Sequence, residues 1–171
     1  MVKRIICWML ALILALSMTV LPASAAESNE TKIYRYLRSE LGCNVATACG
    51  ILANIYEESG FNPEAYNSAG YYGLFQWGDG RLSNMKSFCS ANGLSYNSVE
   101  GQLKFMRYEL ENTSRYKDLA KLLKTCANTA QAAYDAAYQF CYVYERPGNI
   151  VSSSERRGTI ARDTYFPKYN Q

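Results

Sequence analysis

After residue 30, apolar positions recur at spacings of three and four along most of the chain, the period of helices rather than strands. Ile33, Leu37 and Leu41 fall one turn apart and predict a first helix that Gly42 can end. Asn44 is placed to cap a second helix running to about Glu58, with Ala48, Ile51, Leu52 and Ile55 as its buried stripe. Residues 60–80 break the period. Five glycines there, with Asn62, Pro63 and Asn67, predict a loop holding at most a short hairpin.

The helical period then resumes. Leu82, Met85 and Phe88 or Cys89 predict a third helix stopped near Gly93. Asn97 with Glu100 has capping-box spacing and opens a helix bearing Val99, Leu103, Met106 and Leu110 on one face. Leu119, Leu122 and Leu123 mark a shorter helix. Asn128 with Gln131 starts an Ala-rich helix through Phe140, Cys141 and Tyr144, ended by Pro147-Gly148. Ser152 with Glu155 caps a last helix carrying Ile160 and Ala161. Without internal repeat or linker, the pattern predicts one mostly α domain of about six or seven helices.

The first 25 residues read differently. Lys3 and Arg4 precede an uncharged apolar run from Ile5 to Val20, and Pro22 with Ala23-Ser24-Ala25 supplies a small-residue cleavage pattern. The run is short for a bilayer span, which needs roughly 20 residues. The expectation is a signal peptide over 1–25, cleaved near Ala25, and a secreted or wall-associated domain over 26–171. Cleavage would take two of the 18 basic residues and none of the 15 acidic ones, leaving the mature chain near neutral. No basic run suggests nucleic acid. Export permits disulfides among Cys43, Cys49, Cys89, Cys126 and Cys141, but an odd count leaves one thiol over. Cys126 and Cys141 flank the Ala-rich helix, roughly 20 Å apart at 1.5 Å per residue, which disfavours a bridge between them.

The chain has no histidine. Ser-His and Cys-His nucleophiles and His-ligated metals are therefore out of reach, and no cysteine spacing suggests a metal, so no metal or cofactor is expected. Chemistry must run on carboxylates, tyrosines or amides. Glu57 and Glu58 end the second predicted helix. At roughly 100° per residue Glu58 shares the direction of Ile51 and Ile55, whereas Glu57 points away and should be solvated. Desolvation on the apolar stripe and the negative end of the helix dipole would both keep Glu58 protonated, as a general acid requires.

Glu58-Ser59-Gly60-Phe61-Asn62-Pro63, Gly73-Leu74-Phe75-Gln76-Trp77 and Tyr144-Glu145-Arg146-Pro147 together resemble the phage tail lysozyme type of domain. The first two motifs also resemble goose-type lysozymes and soluble lytic transglycosylases. The resemblance implies a lysozyme-like fold that cleaves the glycan strands of peptidoglycan, with Glu58 as the catalytic acid. Gln76, Trp77, Ser59, Tyr144 and Glu145 match motif positions expected to line or support the sugar groove. For Trp77 a core role competes with stacking, and Glu145 also suits anchoring of Arg146 or a helix end.

Asp79, next to Gly78 in the loop, is the candidate for holding a water, or else merely shapes its turn. An inverting hydrolase needs such a base ~6.5–9.5 Å from the acid. A transglycosylase needs none, because the sugar's own hydroxyl closes an anhydro ring. The remaining alternative is a wall-binding module that keeps the groove without the chemistry. The chain is expected to act as a monomer, with no stable membrane association once the signal is removed.

Overall fold

The computed structural model describes residues 26–171. The signal-peptide expectation for residues 1–25, with Cys7 and Trp8, lies outside the described residues. Seven helices are present: α1 Asn29–Ser39, α2 Val45–Ser59, α3 Asp79–Ala91, α4 Val99–Asn112, α5 Lys117–Thr125, α6 Ala130–Phe140 and α7 Ile150–Ile160. A 3₁₀ turn, Ser114–Tyr116, leads into α5. α6 continues through a π-helical turn, Cys141–Glu145, and α7 through another, Ala161–Tyr165, to a last α-helical turn at Phe166–Tyr169. No strand forms among the described residues, in line with the mostly α reading of the sequence.

α2 is the central element. Every residue from Ala46 to Ile55 is buried, so the helix is covered all round rather than along one stripe. α1, α6, α7 and the C-terminal turn enclose it. Its closest partner is α6, and the contact rests on small residues. A Cβ built on Gly50 would lie 2.8 Å from the Ala137 backbone nitrogen and 2.9 Å from Ala136 Cβ. Only glycine lets the two backbones approach this far. The approach brings Asn54 within reach of α6, where its Nδ2 donates to Ala137 O at 3.0 Å and to Gly50 O at 2.9 Å.

Both ends of α2 are held by specific residues. Asn44 Oδ1 accepts from Thr47 N at 2.9 Å, as the capping signal predicts, and Asn128 Oδ1 accepts from Ala46 N at 3.0 Å. At the far end Gly60 turns left-handed with φ 57°. Three other predicted caps move by one or more residues. Ser98 rather than Asn97 caps α4, Thr129 rather than Asn128 caps α6, and α7 begins after Asn149 rather than Ser152. Asn97 is drawn instead to Glu64 Oε1 at 3.1 Å, and Asn128 to α2, so tertiary partners compete successfully for both.

The Gly-rich segment between α2 and α3 is a loop with single-residue bridges, Tyr66 to Tyr72 and Tyr72 to Trp77, in place of a hairpin. Tyr72 and Trp77 exchange backbone hydrogen bonds of 3.0 and 2.9 Å, which closes a tight turn over residues 73–76. The turn drives Phe75 and Trp77 into the core, against Phe105, Phe140 and Tyr144. All five cysteines are free thiols, four of them buried. Burial pushes Cys43 up to about 11 and Cys49 up to about 12, so neither is a nucleophile at neutral pH.

Candidate active site

An open cleft of about 480 Å³ lies where the end of α2, the Gly-rich loop, the start of α3 and the turn after α6 converge. Glu58, Tyr71, Gln76, Asp79, Arg81 and Glu145 are among the residues that line it. A cleft of similar size between α1 and α4 has only solvent-exposed carboxylates, Glu40 and Glu100, and no buried acid.

Glu58 reaches the cleft from the last turn of α2, but not on a bare apolar surface. Arg157 of α7 donates from Nη2 to Glu58 Oε1 at 2.6 Å and from Nη1 to Asn54 Oδ1 at 3.0 Å. The guanidinium is nearly sealed, its side chain 4% exposed. The expected contrast in burial between neighbouring glutamates does not hold. Glu57 and Glu58 side chains are 16% and 17% exposed, and Glu57 is paired with Arg156, whose Nε donates to Oε2 at 2.6 Å. α7 packs against α2 more closely than the helical phase of α2 alone can foretell, and it supplies a cation to each carboxylate. What separates the two is the cleft, which Glu58 faces.

The desolvation expected at Glu58 falls on Glu145 instead. The π turn closes with Arg146 N donating to Cys141 O at 2.9 Å, and this extra residue rotates the next side chains by about 100° relative to a continuous α-helix. Tyr144 thereby points into the core and Glu145 toward Glu58. Glu145 stands at the cleft edge, but its Oε1 is closed off from solvent and has no hydrogen-bond partner. Its carboxyl is held well above the usual carboxylate range. Burial is the main cause and the negative Glu58 the next, against partial compensation from Arg157 and Arg81. Arg157 Nε is another buried polar atom left unpaired.

The remaining motif residues divide into two groups. Gln76 and Asp79 line the cleft. Gln76 Nε2 donates to Gly73 O at 3.0 Å and to Ala65 O at 3.2 Å, while Oε1 accepts from Asn67 at 3.0 Å, so its amide also holds the loop in shape. Asp79 is exposed at the first position of α3. Gln76, Asp79 and Arg146 are three of the four non-glycine residues with left-handed φ among the described residues, and all three border the cleft. Backbone strain concentrated in this way is a common mark of a functional site.

Ser59, Trp77 and Tyr144 serve the framework rather than the groove. The Ser59 hydroxyl lies 3.1 Å from both Ile55 O and Leu74 O and pins the loop to α2. Trp77 and Tyr144 are each 1% exposed and present no ring face to a sugar. Both donate to Glu109 Oε2, Trp77 Nε1 at 3.2 Å and Tyr144 Oη at 2.6 Å. Glu109 is also gripped by Arg81, with Nε to Oε1 at 2.9 Å and Nη2 to Oε2 at 2.8 Å. The competing core role is the one Trp77 takes. The exposed ring over the cleft belongs to Tyr71, which packs on Gly78 so closely that a Cβ there would meet it at 2.6 Å.

Arg157, Asn54, Arg81, Glu109 and Tyr71 are site residues that the sequence pattern did not single out. Glu109 and Asn54 were within its reach. Glu109 falls three residues after Met106 and Asn54 three after Ile51, polar positions in phase with buried stripes. The two arginines lie on other elements and carry no such local signal.

The sequence profile of the phage tail lysozyme family matches residues 28–167. Among curated proteins the chain is similar to Morphogenesis protein 1 of Bacillus phage B103, with 29% identity over 120 residues. That match takes in 66% of this chain and 32% of the phage protein, so the chain spans about a third of its relative's length.

Proposed function

The chain belongs to the phage tail lysozyme family, and from that membership we propose that it cleaves peptidoglycan glycan strands at the β-1,4 bond between N-acetylmuramic acid and N-acetylglucosamine, by general-acid catalysis. The observation that carries the proposal is the cleft itself. A fixed carboxylate, Glu58, and a neutral carboxyl, Glu145, face one groove bordered by Gln76, Asp79 and Tyr71. Two carboxyl groups with opposed environments are the usual equipment for breaking a glycosidic bond.

In this reading Glu58 is the indispensable carboxyl, Tyr71 offers a sugar-stacking ring, and Asp79 at the rim orients the attacking water. The protein acts as a secreted monomer on bacterial cell wall. Glu58→Gln is expected to abolish release of soluble fragments from purified walls while helix content by circular dichroism stays unchanged. A variant that clears walls at the parent rate would refute the assignment.

A transglycosylase is the second reading. Asp79 accepts no hydrogen bond from the described residues, so nothing but its place on the rim ties it to a water. Mass spectrometry of the digest decides between them: reducing ends mean hydrolysis, 1,6-anhydro ends mean ring closure by the sugar.

A further inference from the structure

The two carboxyls of the cleft stand in unlike settings. Glu58 accepts a hydrogen bond from a nearly sealed arginine at 2.6 Å. Glu145 has one oxygen closed off without any partner. An ionised carboxylate is stabilised by the first environment and penalised by the second. The groups facing Glu145 come from four elements: Glu58 on α2, Arg157 on α7, Arg81 on α3 and Glu109 on α4. The two cations are engaged elsewhere, Arg157 by Glu58 and Asn54 and Arg81 by Glu109, so neither donates to Glu145.

We infer that Glu145 is the proton donor of the reaction and that Glu58, held by Arg157, works as the anion. The inference deepens the glycan-cleaving reading and rests on it. It replaces the assignment drawn from helical phase, in which Glu58 carried the proton. The direction of the Glu145 shift agrees with the geometry.

The step balances with these two groups alone. The Glu145 carboxyl gives its proton to the bridging oxygen as the C1–O bond breaks, and the leaving sugar departs as an alcohol. Positive charge developing at C1 faces the Glu58 carboxylate, which Arg157 keeps in place. The incoming hydroxyl, from water or from the sugar's own C6, bonds to C1 and returns its proton to Glu145. The donor is thereby restored, as acid–base reciprocity requires. Because the same residue serves departure and attack, both events occur on one face of the sugar.

Carbon-13 NMR of the intact chain labelled at the glutamate carboxyl carbons tests the inference directly. Glu58→Gln and Glu145→Asp assign the two resonances. The result expected in the parent protein is a Glu145 signal at its protonated position at pH 6, where the Glu58 signal is already that of a carboxylate. The reverse order overturns the proposal. Wall digestion supplies the second arm: Glu145→Gln should lower turnover by at least about 100-fold, the scale of a lost general acid. Parent-like turnover in that variant also overturns it. If the parent releases no fragments at all, the glycan-cleaving reading itself fails. If the parent is active, Glu58→Gln is dead and Glu145→Gln is not, only the donor assignment fails. The titration is read on the parent chain, so it stands even where a variant does not fold.

Discussion

Arg157 and Glu58 meet across the α2–α7 interface at 2.6 Å, with the arginine the more deeply buried of the two. The same guanidinium satisfies Asn54 Oδ1 inside the central helix. Replacing it therefore strands a carboxylate and a buried amide together. Arg157→Met is expected to destabilise the fold by about 3 kcal/mol, within the range for breaking a buried pair. Urea denaturation would measure this, and an unchanged midpoint would show that the pair contributes nothing.

Trp77 and Tyr71 should respond in opposite ways. Trp77 is packed among Phe75 and Phe105 and donates to Glu109, so Trp77→Ala should cost about 3–5 kcal/mol and lower the melting temperature steeply. Tyr71 is largely exposed, and Tyr71→Ala should change stability by less than about 1 kcal/mol. Its effect should appear as weaker binding of soluble glycan fragments, measured by calorimetry. A Tyr71→Ala chain that binds fragments like its parent removes the ring from the substrate site.

Stability should fall as pH rises, through Glu145. Its carboxyl binds a proton more tightly in the folded chain than in the unfolded one. Between the ordinary carboxylate range and the raised folded value, the native state holds the extra proton. In that interval unfolding free energy decreases with pH by up to about 1.4 kcal/mol per unit. Below the ordinary range both states are protonated, so the slope vanishes and the full stabilisation is present. Glu145→Gln removes the titration, so its stability relative to the parent should improve steadily from pH 5 to pH 8. Parallel curves for the two proteins would mean that Glu145 is ionised in the folded chain.

Asp79→Ala separates the two ways of finishing the reaction. The side chain is exposed, so the fold should be unaffected. If water attacks and Asp79 orients it, release of reducing ends should drop by about tenfold to a hundredfold. Retained turnover with anhydro ends would assign the sugar's own hydroxyl as nucleophile.

Each element is legible in the sequence to the extent that its signal is local. Helix positions are local, and Ile33, Leu37, Leu103, Met106, Leu119 and Leu123 are buried as their spacing demands. Asn44 caps as its type and place suggest. Asn97 and Asn128 do not, because residues more than thirty positions away bind them first. Within the site, motif resemblance brought Glu58, Gln76, Asp79 and Glu145 to one cleft. It could not say that Trp77 faces inward, since a tight turn reverses the direction of the residues it joins. Nor could helical phase on α2 foresee Arg157, which arrives 99 residues later in the chain.

The contact at Gly50 reaches further than packing. Glu58 belongs to the rod that carries this glycine, and Glu145 to the continuation of the rod it touches. About two turns from the chemistry, the gap between the rods is fixed by a hydrogen where every other residue has a carbon. The molecule is thus a caliper whose jaws are the two carboxyls and whose pivot is Gly50. A single methyl group added there would reset the span available to a glycosidic oxygen without altering any atom of the cleft.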